Sequence, residues 1–158
     1  MCEMVNEAIV GKEFPSFELP VEKGKIKEFA RSLGDRNPLY YDEEMAKSMG
    51  FRSVPAPPTF TATFLHHVPD ENFLLNMMQE MGISVATSVH GESEFEYLAP
   101  ICAGDVLSVA VKVKDYYQKE GKRGGKMNFI TVESTFTNQE GVLVQKDRML
   151  FIERESAA

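Results

Sequence analysis

The sequence predicts an α+β fold in which a long antiparallel sheet wraps around a buried central helix. Three observations carry this. In the first half, apolar residues recur at helical spacing. From Ile83 onward they alternate instead. Between the two regimes lies TFTATFLHHV, a helical stretch that is mostly apolar on all sides. Helices followed by a run of strands are the pattern of a fold whose helical part packs against an antiparallel sheet.

Taken in order, Ile26, Phe29, Ala30 and Leu33 fall on one helical face and predict a helix over 22–33, with Gly34 as its left-handed stop. A short helix is predicted over 43–49. Asp42 caps it, Glu43 and Glu44 suit its positive end, and Gly50 ends it. FRSVPAPPTF, 51–60, reads as a stiff loop because of its prolines, and Pro58 suits the first position of the following helix. That helix ends at Pro69, and its lack of a polar face predicts burial. A further helical stretch over 71–81 places Phe73, Leu74, Met77, Met78 and Met81 on one side, with Gly82 behind. The alternating segments are 83–97, 106–117, 127–137 and 142–153, joined in part by the turns KEGKRGGK and NQEG.

The 158 residues suit one domain, 1–158, of ordinary globular composition, with 43% hydrophobic and 26% charged residues. A net charge of −7 argues against a nucleic-acid partner. No apolar run approaches the roughly 18 residues of a membrane span, and the N-terminal residues lack the order of a secretion signal. Cys2 and Cys102 form no disulfide framework and no metal spacing. The expectation is a cytoplasmic protein with reduced thiols, no metal and no cofactor.

Two blocks carry more specific information: GDRNPLYYDEEMAKSMGF at 34–51 and HGESEFEYLAPICAGD at 90–105. With the element order, they resemble the MaoC-like hot-dog hydratases and dehydratases over nearly the whole chain. That family acts on (3R)-hydroxyacyl or trans-2-enoyl thioesters of coenzyme A or acyl carrier protein. Its motif reads Gly-Asp-x-Asn-Pro-(apolar)-His. The Asp and His hold a water between them and move its protons as base and acid. Asp35 matches the family Asp, and Asn37 and Pro38 match the turn. The His position falls on Tyr40, followed by Tyr41. A free phenol titrates near 10 and an imidazole near 6.5, so Tyr40 is a poor base near neutral pH.

The resemblance also locates a second departure. Catalytic members begin the buried helix with His-Gly-Met, and the glycine N–H holds the thioester oxygen. The aligned residues here are Pro57, Pro58 and Thr59. Proline has no N–H, which leaves the N–H of Thr59 or Phe60 and the helix dipole as weaker candidates. One branch of the family, the MaoC dehydratase N-terminal or type I fatty-acid-synthase-like branch, has the APPTF loop and lacks the His. Some of its members are non-catalytic subunits of heterodimeric dehydratases. APPTF at 56–60, HGE at 90–92 and GGK at 124–126 resemble that branch.

The resemblance therefore implies a subunit that binds an acyl thioester of coenzyme A or acyl carrier protein while a partner supplies Asp and His. A homodimer, or a heterodimer with a catalytic hot-dog subunit, is the expected assembly. Asp35, Asn37 and Tyr40 are the candidates for chemistry. Pro57, Pro58, Thr59, Phe60, Lys122 and Arg123 are the candidates for substrate binding. Two alternatives stand beside this: a self-sufficient homodimeric hydratase using Asp35 with a nonstandard acid, and a non-catalytic thioester-binding or scaffold protein. A thioesterase is a fourth, weaker option because a fold does not determine a function.

The remaining features have plainer readings. His66 and His67 read as structural residues, and His90 as a residue bonding the backbone. Lys122, Arg123 and Lys126 make a basic hairpin tip, either a phosphate seat or a solvated turn. The methionine-rich face over 71–81 either lines an acyl tunnel or packs on the core. Glu92, Glu94 and Glu96 read as a solvent-facing strand side that discourages edge pairing.

Overall fold

The computed structural model describes residues 5–121 and 125–154. Five antiparallel strands form one sheet: β1 (Phe17–Pro20), β2 (Ser88–Tyr97), β3 (Val106–Glu120), β4 (Lys126–Thr137) and β5 (Leu143–Arg154), in the order β1-β3-β4-β5-β2. Three α-helices precede the long strands: α1 (Lys23–Ser32), α2 (Glu43–Ser48) and α3 (Phe73–Glu80). This is the α+β arrangement the sequence predicts.

α1 buries Ile26 and Ala30 and ends at Gly34, whose φ of 72° is the left-handed geometry that stops a helix. α2 starts at Asp42, whose Oδ1 accepts from the N–H groups of Glu44 and Met45. α3 buries Phe73, Met77 and Met78. The sheet's inner face alternates cleanly along β3, where Leu107, Val109, Val111 and Val113 are buried. Phe64 ties the middle of the chain to both sides of this core, stacking on Phe17 of β1 and meeting Phe136 of β4 edge-on.

Two expectations need correction. The stretch TFTATFLHHV forms a helix, of the 3-10 type, over Phe60–His66, but only one side of it is buried: Phe60, Thr61 and Phe64. Its N–H groups close on the third residue back, as in Phe60 to Pro57 O (2.9 Å) and His67 to Phe64 O (2.9 Å). Three threonines contribute to this, since β-branching disfavours the α-helix and Thr63 Oγ1 donates to Phe60 O at 2.8 Å. The second correction concerns 83–87, which alternate like a strand but form turns. Ile83 N–H closes on Met78 O behind α3, and Ser84 N–H is taken by Glu153 Oε1 at 3.0 Å. With those donors spent, strand pairing starts at Ser88.

Candidate functional site

A cavity of about 430 Å³ opens where three segments meet: the turn after α1, the proline loop and the stretch that follows β2. Each wall is positioned by local bonding. Asp35 Oδ1 accepts from Asn37 N–H (2.9 Å), and Asn37 Oδ1 accepts from Leu39 N–H (3.1 Å), which starts a 3-10 turn over Pro38–Tyr40. Tyr41 donates its hydroxyl to the Asp35 carbonyl. This chain of short-range bonds is why Asp-x-Asn-Pro makes a rigid turn, and it presents Leu39 and Tyr40 to the cavity.

The proline loop is stitched to the PICAGD turn. Ala56 N–H donates to Ile101 O and Ala103 N–H to Val54 O, both at 2.8 Å. Asp105, 1% exposed, anchors that turn by accepting from Cys102 N–H (2.8 Å) and pairing with Arg52. Leu98 and Ala99 donate to Val144 O. Pro57, Pro58, Tyr97, Leu98 and Ile101 thereby line a largely apolar space together with Tyr40, with Gln145 of β5 adding a polar group to the wall.

The predicted residues separate. Tyr40, Pro57 and Pro58 line the cavity. Asp35 and Asn37 lie in the adjoining turn, and the negative charge of Asp35 reaches Tyr40. Burial first, then Asp35, raises the phenol above its ordinary value of 10.0, so Tyr40 stays protonated and can donate but not act as a base near neutral pH. Thr59 sits at the start of the 3-10 helix and its N–H takes no partner among the described residues. Phe60 is 1% exposed, packs edge-on against Phe29 and spends its N–H on Pro57 O. Of the two amides proposed for the thioester oxygen, only that of Thr59 is open. Lys122 and Arg123 lie outside the described residues, as does Cys2.

The histidines stand apart from this cavity. His66 and His67 share a surface groove with Lys25, Glu28 and Ser32. Burial and then Lys25 lower the His67 pKa below 6.5. His90 bonds the Glu92 carbonyl (3.0 Å) and Ser93 Oγ (2.9 Å), in line with its expected backbone role. Cys102 is a free, buried thiol whose pKa burial raises. Among the described residues, no group of three or more His, Cys, Asp or Glu side chains is placed to hold a metal. Nor is any helix there long and apolar enough to cross a membrane.

A second, small cavity of about 40 Å³ lies between the 3-10 helix, α3 and the sheet, lined by Leu65, Leu74, Met77, Val132, Met149 and Asp147 among others. Leu74 and Met77 of the methionine face thus border this cavity, and Met77 belongs to the core together with Phe73, Met78 and Met81. Sequence reasoning missed Tyr97, Gln145 and Asp147. A signal existed for the last two: they share the period-2 face of Met149 and Phe151, where an apolar residue is the norm.

A half-buried sheet wrapped on a short helix, with an apolar cavity at a Gly-Asp-x-Asn-Pro turn, defines a MaoC-like hot-dog protein. Residues 8–147 match the family model of the FAS1-like dehydratase domain region, and the chain belongs to that family. It is 33% identical over 156 residues to a UPF0336 protein of Saccharopolyspora erythraea, covering 97% of this chain and 94% of that one. It is similar to the structure of a MaoC-like dehydratase at 28% identity and a TM-score of 0.77, covering 94% of this chain and 43% of that chain. The truncated HadBC (3R)-hydroxyacyl-ACP dehydratase complex of Mycobacterium tuberculosis has the same fold, with a TM-score of 0.73 at 22% identity over 91% of this chain and 96% of that one.

Proposed function

We propose that this chain is the acyl-thioester-holding subunit of a (3R)-hydroxyacyl dehydratase or trans-2-enoyl hydratase, working with a hot-dog partner that supplies the Asp/His pair. One observation carries the reading. The cavity beside Asp35 is apolar and open, yet the family's acid–base position holds Tyr40, whose proton is bound more tightly than in a free phenol. Such a site can bind an acyl chain and donate one hydrogen bond. It has no group titrating near neutrality at the position where water would be activated. The thioester carrier is coenzyme A or acyl carrier protein. The match to a HadBC dehydratase complex supports a heterodimer.

The test is hydration of crotonyl-coenzyme A, followed by loss of enoyl absorbance. The chain alone is expected to bind the thioester without turning it over, and to gain turnover when a hot-dog subunit with an intact Asp/His motif is added. Enzyme-like turnover by the chain alone, abolished by Asp35→Asn, would overturn this and make it a self-sufficient hydratase.

A further inference from the structure

Gln145 is 4% exposed and forms part of the wall of the cavity that Leu39 and Pro57 also line. Its carboxamide has two ends of nearly equal size, so only its partners decide which end faces the cavity. Nε2 donates to Thr61 Oγ1 and to Asp147 Oδ1, both at 2.7 Å. Both amide hydrogens are therefore spent inside the protein. The Thr61 hydroxyl, itself fully buried, bonds to Asp147 in turn. Oε1 takes no hydrogen bond among the described residues, and it is not sealed in the protein interior, since Ser88 Oγ alone is a buried side-chain atom without a partner there.

A nearly buried carbonyl oxygen on an otherwise apolar wall is an acceptor waiting for a donor. We propose that Gln145 reads the bound thioester by accepting a hydrogen bond from one of its N–H or O–H groups, and that Asp147 is the positioning residue that holds the amide oxygen toward the cavity. This rests on the thioester-binding role proposed above and names a specificity contact for it. Two parts of such a ligand carry the donor: the amide N–H of the pantetheine arm and the 3-hydroxyl of a hydroxyacyl chain.

The orientation holds because an ionised carboxylate only accepts. Once protonated, Asp147 becomes a donor and lets the amide reverse, turning Nε2 outward against the ligand's own donor. The groups around Asp147 are Phe95 and Tyr97 of β2, Ser134 of β4, Thr61 of the 3-10 helix, and Gln145 and Met149 of its own strand. The neighbouring cation, Arg148, is engaged by Glu94, Glu96 and Glu133. With no cation matched to it, burial dominates and raises the Asp147 carboxyl to about 6, against the bonds from Thr61 and Gln145.

Calorimetric titrations with butyryl-coenzyme A and (3R)-3-hydroxybutyryl-coenzyme A test this on the wild type, Gln145→Met and Asp147→Asn. Gln145→Met is expected to weaken binding about fivefold, as befits one neutral hydrogen bond. An equal loss for both ligands assigns the pantetheine amide, and a loss confined to the hydroxyacyl ligand assigns the 3-hydroxyl. In the wild type, affinity is expected to fall as pH drops from about 7.5 to about 5, and in Asp147→Asn to lose that dependence. Unchanged affinity in a folded Gln145→Met, or pH-independent binding by the wild type, overturns the proposal alone. Failure of both thioesters to bind the wild type overturns it together with the thioester-binding role.

Discussion

Asp147 and Asp105 are both carboxylates withdrawn from water, and their surroundings give them opposite roles. Asp105 is matched by Arg52, Cys102 N–H and Gln139 Nε2, so it holds the PICAGD turn to the proline loop. Asp105→Ala removes one side of that pairing and is expected to cost about 3 kcal/mol in denaturant unfolding. Asp147 lacks a matched cation, and its folded value, about 6, lies above the ordinary 3.8. The folded protein therefore holds this proton more tightly than the unfolded chain does. The stabilisation it brings is complete below about pH 4 and is lost as the pH rises through about 6. Asp147→Asn is expected to raise stability by about 2 kcal/mol at pH 7.5 and to change it little near pH 4, measured by urea unfolding at the two pH values. Tyr40 shows the limit of a motif: Asp-x-Asn-Pro is legible as a turn in one dimension, but only the tertiary structure shows that Tyr40 lines a cavity.

At the scale of elements, the helices were readable because their signals are local. The Asp42 cap is satisfied as its position in the sequence implies, and Asp42→Ala is expected to lower stability by about 1 kcal/mol in thermal or chemical unfolding. The methionine face of α3 divides in a way its spacing does not announce. Phe73 packs edge-on against Phe14 and Phe17, whereas Leu74 and Met77 border the small cavity. Phe73→Ala is expected to cost about 3 kcal/mol or more by the same measurement. The apolar stretch Phe60–His66 is helical as its sequence implies, but apolarity does not report the hydrogen-bond step, and only one side of it is buried. Threonine branching and the Pro57 carbonyl chose the tighter turn.

For the whole molecule, the sheet's outer face carries a charge cluster beside the stacked rings of Tyr117 and Phe129. Arg148 of β5 reaches Glu94 and Glu96 of β2 at 2.7 Å and Glu133 of β4 at 2.9 Å, so one side chain ties three strands together. Glu133 stays below the usual carboxylate range even though burial alone would raise it, because Lys114 and Arg148 outweigh that effect. Arg148→Ala is expected to cost about 2 kcal/mol, with the difference shrinking in high salt, where ion pairs at the exposed side are screened. Two of the glutamates that read as a solvent-facing row, Glu94 and Glu96, are thus a clasp on the edge strand. β2 pairs with β5 on one side only and leaves its other edge, with exposed Val89 and Tyr97, at the rim of the sheet. An edge of this kind suits the side-by-side pairing expected of the family, and sedimentation of the chain alone measures whether it pairs with a second copy.

Periodicity, turn residues and the Gly-Asp-x-Asn-Pro block by themselves determined the α+β class, the four long strands but not the short β1, the helix stops and the family, because each depends on residues near one another in the chain. Tertiary structure alone decided that 83–87 turn rather than pair, and that Tyr40, Tyr97 and Gln145 line one cavity. The physical reason is the same in each case. A hydrogen-bond donor can be spent only once, and what competes for it comes from residues as far apart as Ser84 and Glu153, or Thr61 and Gln145.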